Sequence, residues 1–403
     1  MTVTMELPDA FWFQEGPGVR NWQFTNAGIK LLNVANITKN GEIDLNKTAR
    51  CLSEAEVRNK YTHFLVDAGD LVIASSGISF DEDGLLRTRG AFVEKRHLPL
   101  CMNTSTIRFK AKAGLSDLNY LKFWLDSDEF RRQVTRLVTG SAQQNFGPAH
   151  LKSIHITLPP LEKQACIARR LDKADRLRRT RRYALELTDT FLPAAFLELF
   201  GDPATNPMGL PVAELGDFLS FVTSGSRGWA AYYVPEGARF IRSLDVRMND
   251  ISDEDAVFVK PPDGAEADRT CVKPGDVLLT ITGSRIGRVA PVPERMNGAF
   301  ISQHVAILRL REGLLPEFLS MFLSLDAGGQ REIARAQYGQ TKPGLNLDQI
   351  REFRVPLPPL CRQEQFLELA KRVERLRAVQ REALRQAEHL FASLLHRAFS
   401  GEL

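Results

Sequence analysis

Short apolar runs rich in β-branched residues alternate with Gly- and Asn-rich turns from residue 1 to about 157, at Lys30-Leu31-Leu32-Asn33-Val34, Asp70-Leu71-Val72-Ile73-Ala74 and Thr106-Ile107-Arg108-Phe109. That alternation predicts strands. One helix is predicted from Leu118 to Leu137, before a polar loop from Thr139 to Asn145. The same order returns over residues 210 to about 356, with strands around Phe240-Ile241, Val277-Leu278-Leu279-Thr280-Ile281 and Val305-Ala306-Ile307-Leu308. A helix from Leu319 to Ala336 and a loop at Gly339-Gln340-Thr341-Lys342 follow. Each stretch predicts a mixed α/β globule.

After each globule the apolar period changes from two to steps of three, four or seven. Ile167, Leu171, Ala174, Leu177, Ala184, Leu187 and Phe191 follow it once; Phe366, Leu369, Val373, Leu376, Val379, Ala383, Ala387, Leu390 and Leu394 follow it again, more regularly. Both runs predict amphipathic helices with a coiled-coil-like seam, each roughly 60 Å long if it has about forty residues. A doubled proline before each helix, Pro159-Pro160 and Pro358-Pro359, predicts a rigid elbow, because proline fixes an extended entry and cannot lie inside a helix cheaply. Pro193 predicts a kink or restart in the first helix.

The two helices echo one another. Leu158-Pro159-Pro160-Leu161 with Gln164 returns, half a chain length later, as Leu357-Pro358-Pro359-Leu360 with Gln363, and Arg176-Leu177-Arg178 returns as Arg375-Leu376-Arg377. Upstream, Gly69-Asp70-Leu71-Val72 matches Gly275-Asp276-Val277-Leu278. So long a period does not suit a solenoid; it implies two copies of a domain-plus-helix unit. The expected fold is α+β, with duplicated mixed α/β globules, two long antiparallel helices forming a coiled-coil-like spacer, and a pseudo-two-fold internal repeat. The expected divisions are 1–157 and 203–356 for the globules, with 158–202 and 357–403 for the helical regions. Like helices and unlike globules suggest a shared frame carrying two different readers, and double-stranded DNA is one partner with suitable symmetry.

Composition narrows the partner. A formal charge of +4 over 403 residues is too small for the whole-molecule field to hold nucleic acid, so binding needs local clusters. The five cysteines have no C-x-x-C spacing, which excludes a zinc ribbon and suits free thiols in a reducing cytosol. No signal-peptide core and no apolar stretch of roughly 18 residues appears. A soluble, cytoplasmic protein with no membrane partner is expected.

The first helix carries Arg169, Arg170, Lys173, Arg176, Arg178, Arg179, Arg181 and Arg182 with only Asp172 and Asp175 among them. This run is either a solvated face or a rail facing phosphates or protein. Amide, hydroxyl and guanidinium groups recur in the loops of both globules, and such side chains suit base edges. The candidate DNA contacts are Arg20, Ser75, Ser76, Gln143, Gln144 and Asn145 in the first globule. In the second they are Ser226, Arg227, Thr282, Ser284, Arg285, Gln303, His304, Gln340, Thr341 and Lys342.

Catalytic patterns are missing. The seven histidines form no H-E-x-x-H, no P-loop motif exists, and the Asn/Asp-Pro-Pro-Tyr/Phe tetrapeptide of amino methyltransferases is absent. No catalytic residue, metal or cofactor is expected. A chain built to read DNA without chemistry of its own must lend specificity to another protein.

The Leu-Pro-Pro-Leu elbows, the glutamines behind them and the helix ends at Ala195-Phe196-Leu197-Glu198-Leu199-Phe200-Gly201-Asp202 and Ala398-Phe399-Ser400-Gly401-Glu402-Leu403 resemble the specificity subunit of type I restriction-modification systems. So do Leu215-Gly216-Asp217 and Gly275-Asp276-Val277-Leu278, which look like openings and anchors of that family's target recognition domains. The first globule lacks the Leu-Gly-Asp opening and begins with Phe13-Gln14-Glu15-Gly16-Pro17-Gly18-Val19-Arg20. The resemblance implies two target recognition domains reading a bipartite, asymmetric site, with the helices setting the distance between its halves. It also implies two modification (methyltransferase) subunits docked on the helices, and restriction subunits completing an ATP-dependent nuclease. The alternative is a helical interaction scaffold that binds no DNA.

Overall fold

The computed structural model describes residues 2–38, 40–77, 79–80, 86–138, 145–337 and 344–403. The chain forms two compact units: Met1–Tyr183 with Glu382–Leu403, and Ala184–Arg381.

In the first unit the strand Leu71–Ala74 is buried along its whole length, as its unbroken apolar run requires. It lies inside a four-stranded sheet of order Phe11–Glu15, Thr106–Ala111, Leu71–Ala74, Gly90–Phe92, with every neighbour antiparallel. A second sheet orders Cys51–Leu52, Ile29–Leu32 and Leu100–Met102, the last pair parallel. Val3–Glu6 pairs with His155–Leu158. The second unit repeats this plan. Its sheet runs Leu219–Ser224, Val305–Leu310, Asp276–Thr280, Val289–Pro291, and Val212–Glu214 pairs with Arg354–Pro356. Val257–Val259, Ala238–Ile241 and Phe300–Ile301 reproduce the antiparallel-then-parallel trio, with Tyr233–Val234 added at one side.

The paired sequence anchors are local solutions to the same backbone problem. Gly69 and Gly275 take positive φ, +95° and +85°, where a side chain would be strained. The following Asp70 and Asp276 turn their carboxylates back to accept from the N–H of Asp67 (2.9 Å) and Lys273 (2.8 Å). The chain then enters the central strand of each sheet. The Leu-Gly-Asp opening also has a counterpart. Leu215 is buried and its N–H donates to Phe353 O at 2.8 Å; Leu7, equally buried, donates to Ile154 O at 2.8 Å. Leu7-Pro8-Asp9 therefore holds the place that Leu215-Gly216-Asp217 holds in the second unit.

The single helix predicted inside each globule is two. Leu118–Trp124 and Asp128–Leu137 are separated because the Ser127 hydroxyl accepts from Phe130 N–H and restarts the backbone, as an N-cap does. Pro316–Ser324 and Gly329–Gln337 are separated at a point where the chain folds back on itself. There a Cβ on Gly328 would stand 2.6 Å from Phe322 O, and one on Gly329 2.4 Å from Leu323 Cα.

Beyond the proline elbows run two 40-residue helices, Leu161–Phe200 and Leu360–Phe399. The glutamine after each elbow is fully buried. Gln164 Oε1 accepts from Asp117 N–H (3.0 Å) while Nε2 donates to Leu115 O (2.9 Å) and Pro159 O (2.8 Å). Gln363 does the same with Leu315 N–H (2.8 Å), Gly313 O (3.0 Å) and Pro358 O (3.0 Å). One amide thus ties the elbow to the loop that opens the globule's helix pair.

Within the first unit the helix segments run antiparallel, Arg182 reaching Glu388 at 2.8 Å and the Arg178 guanidinium lying 3.7 Å from the Phe391 ring centre. Ile167, Leu171 and Ala174 are buried in one core with Phe391 and Ala398. In the second unit Asp189 pairs with Arg377 at 2.6 Å and Phe196 packs on Phe366, again antiparallel. Contrary to what its periodicity suggests, the seam is not buried throughout. Leu177, Leu187, Phe191, Leu376, Val379 and Leu390 are 41–64% exposed, because burial is concentrated where the helices meet the globules.

Pro193 neither ends nor restarts its helix, which continues to Phe200. An internal proline costs ~3 kcal/mol, and burying a phenylalanine returns about 1.5–3 kcal/mol. Phe196 and Phe200, both buried just beyond it, supply that twice.

Candidate nucleic-acid interface

Antiparallel pairing brings three chain segments to one edge of the first unit's main sheet. Glu15 ends its strand opposite Ile107, Ser75 and Ser76 follow the strand Leu71–Ala74, and Thr104-Ser105 precede Thr106. Ser75 N–H donates to Ser105 O (2.9 Å), and Phe146 N–H donates to Ser75 O (3.0 Å), which draws Asn145 to the same place. Glu15, Ser75, Ser76, Thr104, Ser105 and Asn145 line a cleft of about 470 Å³. Gly16 fixes the strand end, since a Cβ there would fall 2.3 Å from Asn103 O. Among these groups only Glu15 is ionisable, and burial raises its carboxyl above the ordinary value.

The second unit builds the same edge from different side chains. Ile281 N–H donates to His304 O and Leu345 N–H to Ile281 O, both at 2.9 Å, reproducing the Ser75 pattern. Thr282 Oγ1 and His304 Nδ1 are 2.5 Å apart, and Gln303 Nε2 lies 3.1 Å from His304 Nε2. Ser226 pairs with Ser302 across the edge, after Gly225, whose Cβ would come within 2.3 Å of Ile301 O. Arg269, from the short helix Ala265–Thr270, donates to Thr223 Oγ1, to Ser224 O (2.7 Å) and to Ser226 Oγ (2.7 Å).

Ser75, Ser76 and Asn145 therefore converge in one unit, and Ser226, Thr282, Gln303 and His304 in the other. Ser284 and Arg227 are exposed on loops beside the second edge, and Arg285 is held by Leu244 O at 3.0 Å. Arg20 stands apart: it opens the turn Asn21–Gln23, with its N–H on Gln23 Oε1 at 2.7 Å. Gln143, Gln144, Gln340, Thr341 and Lys342 lie outside the described residues. Glu15, Thr104, Ser105 and Arg269 are additions that loop composition missed. The available signal for Glu15 was the shared strand-end glycine, Gly16 matching Gly225.

The arginine run of the first helix is largely committed within the protein. Arg176 pairs with Asp172, Arg178 and Arg179 share Asp175, Arg182 reaches Glu388, and Arg179 also donates to Asn40 O. Arg169, Arg170 and Lys173 are exposed. Among the described residues no group of three His, Cys, Asp or Glu is arranged to hold a metal, and no helix is long and apolar enough to cross a membrane. All five cysteines are free, and burial pushes the Cys101 thiol up to about 12.

A family model described as the type I restriction modification DNA specificity domain matches residues 26–187 and 246–388, well over half of the chain. The chain is 19% identical over 317 residues to the type I restriction enzyme MjaVIII specificity subunit of Methanocaldococcus jannaschii, across 75% of this chain and 74% of that one. It is 24% identical over 307 residues to the EcoKI specificity subunit of Escherichia coli, across 70% of this chain and 65% of that one. Among solved structures, the S subunit of a type I restriction-modification system from M. genitalium shares the fold, with a TM-score of 0.60 at 14% identity over 99% of this chain and 96% of that one.

Proposed function

Because the chain belongs to the type I restriction modification DNA specificity family, we propose that it is the DNA-binding specificity subunit of a type I restriction-modification complex. It reads a bipartite, asymmetric site in double-stranded DNA and brings two modification subunits and the restriction subunits to it. The chemistry, methyl transfer and ATP-dependent cleavage, resides in those partners. Residues 1–157 and 203–356 are the proposed target recognition domains, with 158–202 and 357–403 as helical regions, and a cytoplasmic location is proposed. The candidate residues at the two sheet edges, with the loops that adjoin them in sequence, are the proposed base contacts.

One observation carries this reading. Two sheets of the same topology end in edges furnished with different hydrogen-bonding groups: Glu15, Ser76, Thr104 and Ser105 in one, Ser224, Thr282, Gln303 and His304 in the other. A fold that is kept while its edge chemistry changes suits two readers of unlike base sequences, since each base pair offers its own donor and acceptor pattern in the major groove.

Footprinting of the complex with its modification subunits should show two short protected half-sites separated by a stretch whose sequence is indifferent. One continuous specific site, or no specific site, refutes the proposal. Affinity for that duplex should also fall about tenfold or more between roughly 50 and 200 mM salt, as counterions compete for phosphates. Salt-independent association would instead indicate a scaffold that meets only protein.

A further inference from the structure

Glu15 is half-buried at the end of its strand, and among the described residues nothing donates to its carboxylate or pairs with it. No described residue gives its charge a structural task. The equivalent position in the second unit, the last residue of the matching strand before Gly225, is Ser224, so the fold does not require an acid there. Burial opposes the charge, and among the described residues the cleft around it offers hydroxyls and an amide but no cation. Beside a duplex, a carboxylate also repels phosphates. It is favourable only opposite a hydrogen-bond donor, and the major groove provides donors as exocyclic amino groups. Adenine sets its N7 acceptor next to its amino group on the same base, which a carboxylate fork repels; cytosine presents its amino group beside a C5–H, with no acceptor on that side.

Resting on the function proposed above, we infer that Glu15 is a specificity-determining residue whose carboxylate accepts from the N4 amino group of a cytosine in the half-site read by the first unit. The second unit carries the opposite polarity at this place, the Arg269 guanidinium pinned over Thr223, Ser224 and Ser226. The strand-end residue changes from Glu15 to Ser224, and a guanidinium from a neighbouring helix lies beside the latter, a change of local polarity that suits two dissimilar half-sites.

The test uses the complex assembled with its modification subunits and a panel of duplexes carrying every single base-pair replacement in the footprinted site. Glu15→Ala should erase a preference for cytosine of about ten- to hundredfold at one position of one half-site. The isosteric Glu15→Gln should move that preference toward adenine, whose N6 and N7 a carboxamide satisfies together. Discrimination at the other half-site should persist in both variants, which shows that they fold and assemble. Unchanged preference at every position, or a loss spread evenly over both half-sites in Glu15→Gln, overturns the inference while leaving the two-reader function standing. A wild-type complex that discriminates nowhere defeats both.

Discussion

Replacing Gln363 with leucine is expected to destabilise the second unit by about 3 kcal/mol or more. The side chain is 1% exposed and makes three hydrogen bonds, to Leu315 N–H, Gly313 O and Pro358 O. Leucine fills the space but leaves one backbone donor and two acceptors without this partner, and each buried unsatisfied group costs about 1–3 kcal/mol. Hydrogen exchange of the complete protein reports the effect directly, because amides of residues 313–315 should lose protection first. Gln363→Glu separates hydrogen bonding from shape. Its carboxylate would face Gly313 O and Pro358 O, so the folded-state value lies above the unfolded one of about 4.3. Its residual stability is then fully present below that unfolded value and lost as pH rises through the raised one. If Gln363→Leu and wild type exchange alike, the buried amide does not hold the elbow.

That glutamine was legible in the sequence only as a recurring letter. Repetition of Leu-Pro-Pro-Leu with Gln164 and Gln363 announced two copies of a unit, but the partners, Leu115, Asp117, Gly313 and Leu315, lie far upstream, and nothing in the sequence says that the glutamine side chain reaches them. The central strands were readable because a buried strand needs an apolar run and its entry needs Gly-Asp. Helix breaks were not, since the apolar period continues across Ser127 and across Gly328-Gly329 while a cap or a close backbone approach divides the helix. The seam misled in the other direction: period marks which positions share a face, yet whether that face is covered depends on what packs against it, and Val379 is 64% exposed. At the candidate interface, amide- and hydroxyl-rich loops drew attention to segments that the fold brings together at one end of each main sheet. Glu15 and Arg269 escaped because register, not nearness in sequence, sets them beside Ser105 and Ser226.

Phe196→Ala should cost the second unit about 3–5 kcal/mol. The ring is fully buried, with centroids of Phe200, Phe318 and Phe366 at 4.8, 5.2 and 5.5 Å, so truncation opens a cavity that rigid aromatic neighbours cannot close. It also removes half of the burial that offsets Pro193 in the same helix. Phe191 provides the internal control. It lies on that helix just before the proline and is 49% exposed, so Phe191→Ala should cost about 1 kcal/mol or less. Combining Phe196→Ala with Pro193→Ala discriminates further: if the aromatic cluster is what holds the helix through the proline, removing the proline should restore up to ~3 kcal/mol of the loss. Denaturant titrations of the four proteins, followed by exchange protection of residues 190–200, measure each term. Equal penalties for Phe191→Ala and Phe196→Ala would mean that the helix is held by its periodic seam and not by docking of its last turn on the globule.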